Sequence, residues 1–189
     1  MHSIPRLGHI DQKRKKMMSR GYTLLELLTT LTLAAVLLTI AIPSYSFFVN
    51  TTRLSTVTND LVSSLQLARS EAIKRGQRVT VCKTSSAMNA VPSCDTAANW
   101  QQGWLIFVDS GIRGIVDTDD NLLRVQGSVS PAATITANNY NAFISYLPRG
   151  ISQGPNGLAN GTLKICVANN QRDIIINITG RIRLASSTC

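Results

Sequence analysis

A single carboxylate, Glu26, lies two residues into an otherwise apolar stretch that runs from Leu24 to Val49. An acid placed in hydrocarbon costs on the order of 2.5–3.5 kcal/mol, so a membrane anchor keeps one only for a purpose. Far downstream, Gly180-Arg181-Ile182-Arg183 sets two guanidinium groups at strand spacing. On an extended strand Arg181 and Arg183 project to one side and Ile182 to the other, and the two forks stand about 7 Å apart. That separation suits successive phosphates of a nucleic acid backbone, and Gly180 has no side chain to obstruct a close approach. The same pattern also describes a charged edge strand whose arginines serve solubility. Lys164, Arg172 and Arg149 can extend a basic surface, although spacing does not say which face they share.

Other groups suggest less. Asp109, Asp117, Asp119 and Asp120 invite a calcium reading, but they lack EF-hand spacing, and a solvated hairpin turn is the plainer account. Both histidines, His2 and His9, fall within the first 21 residues. Beyond them no Ser/His/Asp or Cys/His arrangement can be built, and no glycine loop cradles phosphate. The pattern argues against an enzyme, and no metal or cofactor is implied. Four cysteines, Cys82, Cys94, Cys166 and Cys189, all follow the apolar stretch. An even count beyond a membrane anchor reads as disulfides in an oxidising compartment. Three pairings are open. The favoured one joins Cys82 to Cys94 around a polar loop and Cys166 to Cys189, which would hold the arginine-bearing end still and lower the entropy lost on binding.

Charge separates the chain into two parts. The net charge is +9, and residues 1–21 hold six Lys or Arg against one Asp, a balance of +5. The remaining thirteen Lys or Arg against nine Asp or Glu leave only +4. The basic leader is therefore expected on the cytoplasmic side. Tyr22 to Val49 spans 28 residues, enough to cross a bilayer of about 30 Å, with Pro43 expected to kink the helix. Apolar residues then continue at Leu54, Val57, Leu61, Leu65, Ala68 and Ala72, in steps of three or four. One helix from about 22 to 75 follows, capped by Gly76 and protruding from the membrane. Eight short β-rich segments come next: 78–83, 103–109, 122–126, 133–137, 142–147, 162–168, 173–178 and 181–185. Hairpin signals are clearest at Asn169-Asn170-Gln171 and Thr179-Gly180, and Trp104, Phe107, Phe143 and Tyr146 read as core. Helix first and strands afterwards make an α+β fold with the helix laid on a sheet.

The words Gly21-Tyr22-Thr23-Leu24-Leu25-Glu26-Leu27, behind the basic Lys13 to Arg20, resemble the processing site of type IV pilins and type II secretion pseudopilins. Residues Leu65 to Gly76, Gly103 to Asp109, Pro148-Arg149-Gly150 and Gly180 to Arg183 are similar to the GspH/FimT branch of that family. Tyr22 stands where the family usually has Phe. The resemblance implies a long N-terminal membrane-spanning helix packed on a C-terminal antiparallel β-sheet or sandwich domain. It divides the chain into a leader (1–21), a transmembrane half-helix (22–49), a periplasmic half-helix (50–76) and a β-rich domain (77–189). It also implies cleavage after Gly21 by a prepilin peptidase, N-methylation of Tyr22, and assembly with other pilins or pseudopilins through the helix. Glu26 of an incoming subunit would then meet the terminal ammonium of its neighbour. Residence in the inner membrane, with a periplasmic C-terminal domain, would precede incorporation into a pilus or pseudopilus. FimT-like minor pilins that take part in DNA uptake carry a Gly-Arg-x-Arg word near the C-terminus, which implies contact with the DNA backbone here. A purely structural pilin or secretion pseudopilin shares every other expectation.

Overall fold

Leu, Ala and Thr in long succession form the first element, α1, Leu24–Arg75. In this computed structural model residues 21–189 are described; residues 1–20, which include most of the expected leader and both histidines, lie outside them. The helix begins at Leu24 because Thr23 caps it: its Oγ1 accepts the Glu26 amide at 3.2 Å. It runs through Pro43 and stops where Gly76 turns left-handed at φ +64°.

The chain divides after Pro43 into two units. In the first, the apolar side chains from Leu24 to Ile42 lie exposed, and none of the most apolar window is buried. Its mean hydropathy of 2.2 makes this helix long and apolar enough to cross a membrane.

The second unit, Ser44–Cys189, holds the core. The six positions picked out by helical spacing, Leu54, Val57, Leu61, Leu65, Ala68 and Ala72, are all buried. They pack among residues from two antiparallel sheets. The strands are β1 Val79–Lys83, β2 Trp104–Val108, β3 Asn121–Gln126, β4 Ala133–Asn138, β5 Phe143–Tyr146, β6 Ser152–Gln153, β7 Gly161–Val167, β8 Asn170–Ile176 and β9 Ile182–Thr188. One sheet runs β3-β2-β1-β5-β6 and the other β4-β7-β8-β9. Trp104 and Phe107 are fully buried, as is Tyr146, while Phe143 is half-buried. The Trp104 indole donates to Ser64 Oγ of the helix at 2.9 Å, so a polar contact fixes how helix and sheet meet.

Two expectations need correction. β6 was not anticipated, because two residues carry no alternation to read. The β7–β8 turn is Ala168-Asn169 rather than Asn169-Asn170-Gln171, since Val167 pairs directly with Asn170. A two-residue hairpin needs positive φ, and Ala168 supplies it at 53°.

Candidate functional site

The arginine-bearing segment is a turn before it is a strand. β9 begins at Ile182, so Arg181 belongs to the connection from β8 rather than to the strand. Asn177 organises that connection. Its carbonyl accepts the Gly180 amide at 2.8 Å, its Oδ1 accepts the Arg181 amide and the Thr179 hydroxyl, both at 2.8 Å, and its own amide donates to the Arg181 carbonyl at 3.1 Å. Gly180 sits at φ +73° and is buried. A Cβ there would collide with the Gly150 carbonyl oxygen, so glycine is required by packing as well as by φ. The sequence had suggested a different reason, clear access for a ligand.

A residue that the motif does not contain holds this turn in place. Arg69 of α1 donates from Nε to the Gly150 carbonyl at 3.1 Å and from Nη2 to the Thr179 carbonyl at 3.0 Å. Its guanidinium therefore ties the Leu147–Gly150 turn and the 177–180 turn to one helix. The same arrangement sets the turn of exposed Arg149 against the turn of Arg181. The available signal was positional, since Arg69 borders the buried stripe of Ala68 and Ala72.

Arg181 and Arg183 are both exposed, and Ile182 between them packs on the core. Neither arginine has a carboxylate partner or a side-chain hydrogen bond among the described residues. The expected extensions divide. Arg183 pairs with Ile175, while exposed Lys164 pairs with Asp173 one rung further along the same face. A carboxylate opposite Lys164 reduces what it adds to a positive field. Arg172 pairs with buried Ile165, so it stands on the opposite, inward face, where its Nη1 donates to Ser186 Oγ at 2.7 Å. It does not join the arginine pair.

Both disulfides are present, Cys82–Cys94 and Cys166–Cys189, with Cα separations of 5.6 and 6.0 Å. The second was expected to steady the arginines, and that expectation is corrected. It anchors the far end of β9, about 20 Å of extended chain beyond Arg183. Arg69 and Gly180 hold the near end instead.

The aspartates are occupied by the protein itself. Asp109, fully buried, pairs with Arg78 at 2.6 Å and accepts the Thr80 hydroxyl and the Gly114 amide. Asp117 accepts the Ile112 amide and Asp120 the amides of Ser110 and Asp117. Burial works against the Asp120 carboxylate, but those hydrogen bonds, together with one from the Ser110 hydroxyl, hold it below its ordinary range. Asp119 is exposed. Burial raises the Tyr146 phenol, whose hydroxyl has no partner among the described residues, and this group lies directly beneath Gly180.

At the other end, Tyr22, just ahead of the helix cap, and Glu26, in the first turn of α1, are both exposed. The Glu26 carboxylate has no ion-pair partner among the described residues.

Comparison with known proteins bears on both ends. A model of the family described as type II transport protein GspH matches residues 57–180, more than half of the chain. A model of the prokaryotic N-terminal methylation motif matches residues 16–42. No curated protein sequence matches the chain. Among solved structures, it is similar to the type IV minor pilin FimU of Pseudomonas aeruginosa in two crystal forms. These share 20% identity, cover 73% and 70% of this chain and 92% of theirs, and give TM-scores of 0.53 and 0.51. The minor pseudopilin EpsH from the type 2 secretion system of Vibrio cholerae shares 14% identity over 71% of this chain and 97% of its own, with a TM-score of 0.48. At such identities the FimU likeness establishes the fold, a long N-terminal helix followed by an antiparallel sheet domain.

Proposed function

The chain belongs to the GspH family of type II transport proteins, with the methylation motif of a pilin-like subunit, and we propose that it is a minor pilin that binds DNA through Arg181 and Arg183 for uptake. The observation that carries this reading is the pair of exposed guanidinium groups, without partners among the described residues, that flank Ile182 at the start of β9, just after a turn fastened to α1 by Arg69. Most charged surface residues are loosely held. Arg181 follows a backbone tied down at Gly150, Thr179 and Asn177, and Arg183 is held in the β8–β9 ladder, so little backbone entropy is lost when an anion is bound. Guanidinium forks match phosphate geometry, and phosphate contact is indifferent to base sequence.

Several steps of this proposal concern the N-terminus. Cleavage after Gly21 would free the Tyr22 amine for methylation, and Glu26 would pair with the corresponding amine of a neighbouring subunit in the membrane. In a low-dielectric surround such a pair is strengthened and sets the register of the helices. The basic leader would keep the N-terminus cytoplasmic and place the β domain in the periplasm before assembly.

A second reading has its own support. The family description names type II transport, so a secretion pseudopilin that primes fibre assembly without DNA is the structural alternative. The two readings separate at the arginine turn. Fluorescence polarisation with the detergent-solubilised full chain should show DNA binding that weakens with salt, by about 0.9 logarithmic units per phosphate neutralised on duplex for each tenfold rise in salt. Changing Arg181→Ala and Arg183→Ala together should remove most of it. Binding unchanged in the double variant would move the site elsewhere, and no binding at any salt concentration would favour the pseudopilin.

A further inference from the structure

The sheet face that carries Arg183 also holds a cleft that phosphate binding does not explain. Asn138 pairs with Thr162, Thr162 with Ile175, and Ile175 with Arg183, so these four residues form one rung across β4, β7, β8 and β9. Residues of a rung share a face, about 4.8 Å apart from strand to strand. Beside the arginine, that face recedes into a cleft of about 500 Å³ with Asn138, Asn160, Thr162, Ile175 and Ile178 in its walls. A smaller depression contains Arg181 and Arg183 and shares Ile175 and Asn177 with the cleft, so the two adjoin.

The apolar lining is out of place there. Most other outward positions of the sheet, Thr134, Thr136, Lys164, Gln171 and Asp173, are polar, with Cys166 and Ala185 the exceptions. Ile175 is only half-buried, and Ile178 is 63% exposed at the tip of the turn. Apolar side chains beside a recess with a few polar groups at its margin are what a small flat ligand needs. Side-chain amides at its margin offer a donor and an acceptor each, the complement of a heteroaromatic ring edge. A flat ring could therefore lay its face on the isoleucines and turn its edge to the asparagines.

We propose that this cleft takes an unpaired nucleobase from the strand whose phosphates Arg181 and Arg183 hold. The inference rests on the DNA reading and narrows it: the favoured ligand is a single strand or a frayed end. In an intact duplex the base edge is paired and its face stacked, so a base must leave the helix to enter a recess on the protein.

Polarisation assays with the detergent-solubilised full chain and three probes test this directly: an oligothymidine strand, an abasic strand of equal length, and a duplex. All present phosphates, but only the first offers unpaired bases. The oligothymidine should bind roughly fivefold more tightly than the abasic strand. Asn138→Ala combined with Ile178→Ala should erase that difference while leaving abasic binding unchanged, and both residues are exposed. Equal affinities for the two strands, with binding still lost in the Arg181/Arg183 variant, would overturn the cleft and leave the phosphate contact standing. That comparison needs no substitution in the cleft. Absence of binding to every probe would overturn both readings together.

Discussion

At the scale of single residues, the turn that leads to the exposed arginines is tied to the helix by another, half-buried arginine. Arg69 spends its donors on two backbone carbonyls, Gly150 and Thr179, and so acts on the turn rather than on a ligand. Arg69→Gln keeps a polar group but loses the fork that reaches both carbonyls. It should weaken DNA binding several-fold while leaving the slope of log affinity against log salt unchanged, because no phosphate contact is removed. A slope reduced by about 0.9 would show instead that Arg69 touches phosphate itself. Asp120 makes a separate prediction about acid. Its folded pKa is lowered, so its contribution is present above the ordinary carboxylate value, about 4, and is lost as pH falls through the folded value. Asp120→Asn should lower the unfolding temperature at pH 7, and the gap to the unsubstituted chain should narrow towards pH 3. A gap that stays constant would show that the Asp120 charge is not what holds the 110–120 loop.

At the scale of elements, the reading from sequence succeeds wherever burial imposes a period. The buried face of α1 shows as steps of three and four, and eight strands show as short β-branched runs closed by Gly, Asn or Pro. Failures occur where no period exists. β6 has two residues, and the Ala168 turn uses a residue that ordinarily avoids positive φ. Side-chain facing stays open in the sequence for the same reason: Arg172 shares the parity of Ile174 and Ile176, and only the pairing of β8 reveals that this parity faces the core. The Arg69 clamp joins residues 81 and 110 positions apart, which no local pattern encodes. The disulfide at the far end of β9 permits a test of which constraint matters. Cys166→Ser with Cys189→Ser should cost about 2–4 kcal/mol in denaturant unfolding. It should leave DNA affinity within about twofold, because the arginine turn is held from α1. A large loss of affinity would return the steadying role to the disulfide.

At the scale of the whole molecule, the proposed function gives the two ends of the chain different tasks. The exposed apolar helix with Glu26, which has no ion-pair partner among the described residues, would serve assembly, while the arginine turn would serve DNA. A single subunit offers few phosphate contacts, so its affinity for DNA would be low. Attachment to a fibre, or several copies on one strand, would raise the effective concentration by linkage alone. Fibre assembly thus underlies each functional step proposed for this chain, and the amino terminus reports it most directly. Intact-mass analysis of the protein from its native envelope should find a chain beginning at Tyr22, methylated on its amine, that sediments with sheared filaments. A chain that still begins at Met1 and stays out of the filament fraction would contradict it.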